Sequence, residues 1–141
     1  MNGFLIDTNI LSEYNRPGGP NAGVKAWLET TERQSQFVSV ITIAEIAKGI
    51  GLLAQGKRRQ DLQLWLEHDL ESWFEDRILP IDRKVANEWA ELMIKCVRMG
   101  KPLPAIDSLI AATAIAHGLA VVTRNTRDFA SAGATTVNPW Q

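Results

Sequence analysis

Short apolar runs that stop abruptly at acidic or polar residues, with helical stretches between them, constrain this chain more than any other feature. Gly3-Phe4-Leu5-Ile6 ends at Asp7-Thr8-Asn9, the composition of a buried strand followed by helix-capping residues. Phe37-Val38-Ser39-Val40 and Leu119-Ala120-Val121-Val122 repeat the pattern, the latter running into Thr123-Arg124-Asn125. Ile78-Leu79-Pro80-Ile81 predicts a further strand, pushed toward a sheet edge by Pro80, which has no N–H to give to a ladder. Thr135-Thr136-Val137 predicts a last one.

The intervening segments have helical rhythm. Ile10, Leu11 and Tyr14 recur at helical spacing until residues 15–21, where Pro17, Gly18, Gly19 and Pro20 enforce a loop. Val24, Trp27 and Leu28 predict a short helix ending near Thr31, and Ile43, Ile46, Ala47, Ile50 and Leu53 mark one buried stripe of a helix over 42–53. A long amphipathic helix is expected from Leu62 to Phe74, and another from Asp82 to about Met99 with Val85, Trp89, Leu92, Met93, Cys96 and Val97 facing inward. Ala105 to Ala116 is apolar on nearly every side and so predicts a helix buried all round, with Gly118 as its stop. Strands alternating with helices imply an α/β domain with a mainly parallel sheet, because parallel neighbours need crossover connections. The 141 residues suit one domain over 1–141.

Charge and cysteine usage narrow the function. Fifteen Lys and Arg against sixteen Asp and Glu leave a net charge of -1, so any contact with nucleic acid has to come from local patches rather than from the whole surface. Cys96 is the only cysteine and His68 and His117 the only histidines, too few for a thiolate zinc site or an internal disulfide. The start of the chain lacks the basic and long apolar stretches of a signal peptide, and no segment has the length of a membrane span, so a cytoplasmic protein without membrane contact is expected. The five tryptophans read mostly as core, with Trp65 and Trp73 as candidates for an interface.

In parallel α/β folds the working site lies beyond the carboxyl ends of the strands. Asp7 ends the first strand, Glu45 sits one turn into the helix after the second, Asp107 opens the apolar helix, and Asn125 and Asp128 follow the strand at 119–122. Each has a plainer reading when taken alone: Asp7 as a helix cap, Glu45 as a solvated helix residue, Asn125 and Asp128 as turn residues. Asp107 has the weakest of these, since its apolar surroundings threaten burial and a buried carboxylate needs a partner. Together they form a set of oxygen donors without sulfur or imidazole, which suits Mg²⁺ or Mn²⁺. Ions held in this way activate water and neutralise charge on a phosphodiester, so phosphodiester hydrolysis is the expected reaction class. Thr8, Thr123 and Arg124 are expected to orient carboxylates or a phosphate, and Arg124 with Arg127 to hold phosphates flanking the scissile bond.

The order of these motifs resembles the PIN domain, in particular the toxin ribonucleases of the VapC and FitB type from toxin-antitoxin pairs. The resemblance is carried by Phe4-Leu5-Ile6-Asp7-Thr8-Asn9-Ile10-Leu11-Ser12-Glu13, Ser39-Val40-Ile41-Thr42-Ile43-Ala44-Glu45-Ile46 with Lys48-Gly49, Pro104-Ala105-Ile106-Asp107-Ser108-Leu109-Ile110-Ala111-Ala112, Val122-Thr123-Arg124-Asn125-Thr126-Arg127-Asp128-Phe129 and the closing Val137-Asn138-Pro139-Trp140. It implies a three-layer α/β/α sandwich with a mainly parallel central sheet and a Mg²⁺-dependent endoribonuclease in which Asp7, Glu45 and Asp107 hold the metal. It also implies a homodimer, an RNA substrate and a cognate antitoxin protein whose C-terminal segment covers the acidic groove, often inserting a basic side chain. The family often places a fourth acidic residue after the last core strand; here Asn125 comes first and Asp128 three residues later, which leaves the fourth position and the choice between one and two ions open.

Two other classes compete. A catalytically silent binding module would keep the same fold and use the acidic groove for a basic peptide. An aspartyl-phosphate phosphatase would use Asp7 as nucleophile, but that chemistry typically has a second aspartate two positions on, where this chain has Asn9.

Overall fold

The computed structural model describes residues 3–141. Five strands, β1 (Phe4–Ile6), β2 (Gln36–Ser39), β3 (Ile78–Leu79), β4 (Ala120–Val122) and β5 (Thr136–Val137), form one sheet in the order β3-β2-β1-β4-β5. Every neighbouring pair is parallel, so the sheet is wholly rather than mainly parallel. The strand holding Leu79 before Pro80 does lie at an edge.

Eight α-helices surround the sheet: α1 (Thr8–Tyr14), α2 (Ala22–Thr30), α3 (Val40–Gly51), α4 (Lys57–Leu64), α5 (Glu71–Phe74), α6 (Arg83–Arg98), α7 (Ala105–His117) and α8 (Thr126–Ser131). A widened, π-helical segment over Trp65–Leu70 joins α4 to α5, so the expected amphipathic helix is continuous but unevenly wound. Val40 belongs to α3 because Ser39 ends the strand and caps the helix, its hydroxyl accepting from Ile41 N at 3.1 Å.

Period-two alternation along the strands divides the core between the two faces. Leu5 and Val121 pack with Val85, Leu92, Cys96, Ile110 and Phe129, beneath α6, α7 and α8. Their chain neighbours Ile6 and Val122 point the other way, into Ile10, Leu11, Val24, Ile46, Leu70 and Phe74 from α1 to α5. Helices on both faces of one parallel sheet make the three-layer α/β/α sandwich.

The inner face of α6 is narrower than its sequence suggests. Val85, Leu92 and Cys96 are buried, but Val97 is 77% exposed and Trp89 38%. Val97 lies a further 100° or so around the helix from Cys96 and falls off the stripe, whereas Trp89 sits at its margin and donates its indole N–H to Ser108 Oγ at 2.9 Å. Trp73 proves to be core: it stacks on Phe74 and donates to the buried Gln36 side chain at 3.0 Å. Helix α7 is buried or half-buried from Ile106 to His117. The 15–21 loop is tied down at both ends, since Glu13 accepts from Arg16 and from Asn21 N, while the Asn21 side chain caps α2 and bonds Gln141. Gly23 is required at that contact, because a Cβ there would stand 2.1 Å from Pro139 O.

Candidate active site

Strand register decides which polar residues meet. Ile6 pairs with Val122, so the next residues along, Asp7 and Thr123, emerge side by side at the carboxyl end of the two central strands. The ladder continues through them, with Asp7 N donating to Val122 O at 3.0 Å and Thr123 N to Val137 O at 2.9 Å. Both side chains are buried, at 4% and 0% exposure. Thr123 Oγ1 donates to Asp7 Oδ2 at 2.7 Å, and Thr8 N donates to Asp7 Oδ1 at 2.8 Å as Asp7 caps α1. The plain capping role and the place in the cluster therefore coexist in one residue.

The second carboxylate comes from α3. Thr8, on the first turn of α1, donates its hydroxyl to Glu45 Oε1, so neighbouring residues Asp7 and Thr8 organise two acidic side chains. Asp107 stands half-buried in the first turn of α7, where the helix dipole favours negative charge. Asp128 lies in the first turn of α8 and accepts from Asn125 Nδ2 at 3.2 Å. Asn125 also donates its backbone N–H to Thr123 Oγ1 at 3.0 Å. In this arrangement Asn125 joins Thr123 to Asp128, and it is Asp128 that contributes charge to the cluster.

These carboxylates lie within electrostatic reach of one another. The carboxyl of Asp107 is pushed up to about 6, first by burial and then by the charges of Asp7, Glu45 and Asp128. Asp7 is also raised: burial is the largest cause and Glu45 adds to it, while the bonds from Thr123 and Thr8 work against the rise. Among the described residues the ion pairs are Glu13–Arg16, Lys25–Glu29 and Lys57–Asp61, so no lysine or arginine neutralises Asp7, Glu45, Asp107 or Asp128. Nor do any three Asp, Glu, His or Cys side chains, among those described, stand close enough to enclose an ion as placed. Two of the oxygens, Asp7 Oδ2 and Glu45 Oε1, accept from the hydroxyls of Thr123 and Thr8. In donor chemistry, a set made only of carboxylates with no paired lysine or arginine among the described residues suits a hard divalent ion.

The structure adds one residue and redirects another. Asn9 donates to Asp7 Oδ2 and to Thr123 Oγ1, each at 3.3 Å, and accepts from Arg124 N at 3.3 Å. It clamps α1 to the end of β4. Its sequence signal was only its place in Asp7-Thr8-Asn9, which reads as generic capping. The Arg124 guanidinium lies 5.3 Å over the Trp140 ring, so this side chain packs on the closing segment and only its backbone joins the site. Arg127 belongs to a separate cavity with Lys101.

A PIN-domain family model matches residues 4–134. The toxin FitB of Neisseria gonorrhoeae is 41% identical over 97% of this chain and 98% of its own length. The VapC ribonuclease Y4jK of Sinorhizobium fredii is 36% identical over 98% of both chains. Among solved structures, that of FitAB bound to an IR36 DNA fragment superposes with a TM-score of 0.92 at 39% identity, covering 98% of this chain and 96% of that one. The chain belongs to the PIN-domain family, and its relatives include toxin-antitoxin proteins, some of them named as ribonucleases.

Proposed function

We propose that this chain is a divalent-metal-dependent endoribonuclease and the toxin of a type II toxin-antitoxin pair. The observation that carries the reading is the set of four carboxylates at the carboxyl end of the sheet, with Asp107 lifted to about 6 and, among the described residues, no lysine or arginine paired with them. Ribonuclease names among the relatives support the same reaction class.

Asp7, Glu45 and Asp107 would hold the ion, Mg²⁺ or Mn²⁺ by their all-oxygen donors. When bound, it supplies a polarised water and positive charge against the phosphodiester oxygens. The chain's own contribution is positioning. Thr123 and Asn9 fix Asp7 Oδ2, leaving its carboxylate little freedom, and Thr8 steers the longer Glu45 side chain. Asn125 holds Asp128 at the outer side, where that carboxylate can orient an incoming water. Burial of the Asp7 end of the cluster excludes bulk water and strengthens each of these contacts.

The partners follow from surfaces. A cluster of carboxylates without a protein cation suits a basic side chain from an antitoxin, and the related FitB is seen in complex in FitAB. A homodimer is supported by the outer face of α6, where Ile94 is 51% and Val97 77% exposed. Two such helices crossing antiparallel about a two-fold axis near Ile94 would set Glu91 of each against Arg98 of the other, the self-complementarity an isologous interface requires.

The test is cleavage of a defined pool of structured RNAs by antitoxin-free protein in Mg²⁺, with EDTA and Asp107→Asn as paired controls. Cutting that stops in both controls is expected. Equal cutting by the variant would remove Asp107 from the catalytic set, and a folded, Mg²⁺-binding wild type that cuts nothing while binding a basic peptide would make the chain a binding module.

A further inference from the structure

A second cavity, of about 270 Å³, opens beside the carboxylate cluster between the end of α6, the turn at 101–103 and α8. Cys96, Leu103 and Ala132, all buried, line it together with Met99, while Lys101, Arg127, Ser131 and Asp128 supply its polar lining. Asp128 is also one of the charges that act on Asp107, so this cavity and the carboxylate cluster share a wall.

The backbone that carries the two cations is well anchored. Helix α6 ends with Gly100 at φ 64, Gly100 N donating to Val97 O at 3.1 Å and Lys101 N to Cys96 O at 3.0 Å. This paired closure needs a left-handed residue, which glycine adopts at no steric cost. It ties the backbone of Lys101 to that of the buried Cys96. Arg127 is carried on α8, whose Phe129 is fully buried in the core. Neither cation forms an ion pair among the described residues, although Asp128 lines the same cavity.

We propose that this cavity seats a nucleotide of the bound RNA next to the scissile bond, with its phosphate held by Lys101 and Arg127. The assignment rests on the nuclease reading above and adds the place where the strand leaves the carboxylates. Composition favours a nucleotide: an apolar floor takes a ribose or base face, and two unpaired cations on the rim take the phosphate. With a net charge of -1 the protein has no general attraction for RNA, so cations placed beside the cluster are what would draw the backbone in.

The experiment measures binding without cleavage. Asp107→Asn protein is titrated with a fluorescein-labelled single-stranded RNA by anisotropy over a range of salt concentrations, alone and combined with Lys101→Gln, Arg127→Gln or both. The expected result is weaker binding and a shallower dependence of log K on log salt, by about 0.7 for each single substitution and about 1.4 for both. Lys101→Arg should restore the slope. Both side chains are exposed, and thermal unfolding is expected to be unchanged, which separates a lost contact from a lost fold. A salt slope untouched by the double substitution, in a parent that does bind RNA, overturns the cavity assignment and leaves the nuclease reading standing. A parent that binds no RNA also overturns the cavity assignment, while the nuclease reading stands or falls on the wild-type cleavage assay.

Discussion

The carboxylate cluster has two unlike halves. Asp7 is buried, and its two oxygens accept from Thr8, Thr123 and Asn9. Asp107 is half-buried, accepts no side-chain or capping hydrogen bond among the described residues, and faces three other carboxylates. Both carboxyls are raised chiefly by burial, but only in Asp7 do hydrogen bonds act against the rise. The fold thus supplies hydrogen-bond donors to one half and, among the described residues, none to the other, which under the proposed function is the half a cation would complete. A site built this way is preorganised where the chain supplies donors and would be adaptable where the proposed ion enters.

The largest effect expected from this difference is on turnover. Asp107→Asn and Asp7→Asn should each lower RNA cleavage by about a hundredfold to a thousandfold, the scale of several kcal/mol that an ion contributes to transition-state charge. A pool assay at saturating RNA measures it, and an Asp107→Asn protein that keeps full activity would abolish the distinction. Next comes Mg²⁺ as a stabiliser. At about a hundred times its dissociation constant the ion should raise unfolding free energy by about 2.7 kcal/mol, EDTA should remove the gain, and Asp107→Asn should show little of it. If the variant gains as much as the wild type, the ion is binding elsewhere.

Removing a donor from the completed half should have a smaller and opposite signature. Thr123→Val leaves Asp7 Oδ2 with only the 3.3 Å contact from Asn9 and should cost about 2 kcal/mol, as expected for a buried acceptor losing its partner. Thr123→Ser should recover most of it. Denaturant unfolding without divalent ions is the measurement, and an unaffected Thr123→Val would mean that the Asp7 half is no better organised than the Asp107 half.

The same division explains what could be read from the sequence. Strand-terminating Asp7 and the apolar flanks of Asp107 were legible because abrupt changes of polarity mark the ends of buried elements. So were the alternation of strands with helices and the edge position of the Pro80 strand. The contacts that complete the Asp7 half were not, because Thr123 and Asn9 are 114 positions apart and meet only through the pairing of Ile6 with Val122. Register is a property of two strands together, and no local pattern states it. Arg124 and Arg127 look equivalent in the sequence, three residues apart, yet a Trp140 at the far end of the chain claims one of them. The exposed Val97 is a different case: hydropathy marks it as core, while its helical angle, set by its spacing from Val85, Leu92 and Cys96, sends it outward.

The smallest effect is one of pH, and its sign follows from Asp107. In the unfolded chain its carboxyl titrates near 3.8, and in the folded chain near 6. Between those values the folded state holds the proton more tightly than the unfolded state, so unfolding free energy falls as pH rises through this window and levels off above it. Asp7 is raised as well and adds to the same slope. For a half-buried group that solvent partly screens, the loss is about 1 kcal/mol. Asp107→Asn has no such proton to lose and should be more stable than wild type at neutral pH by about that amount, while sharing its stability below the unfolded pKa. Saturating Mg²⁺ should reverse the wild-type slope, because ion binding requires the deprotonated carboxylates and so becomes more favourable as pH rises. Urea unfolding of the two proteins from pH 4 to 7, with EDTA and with Mg²⁺, measures all of this. Parallel curves for wild type and variant in EDTA would mean that the Asp107 half is already compensated within the protein, and the contrast between the two halves would fail.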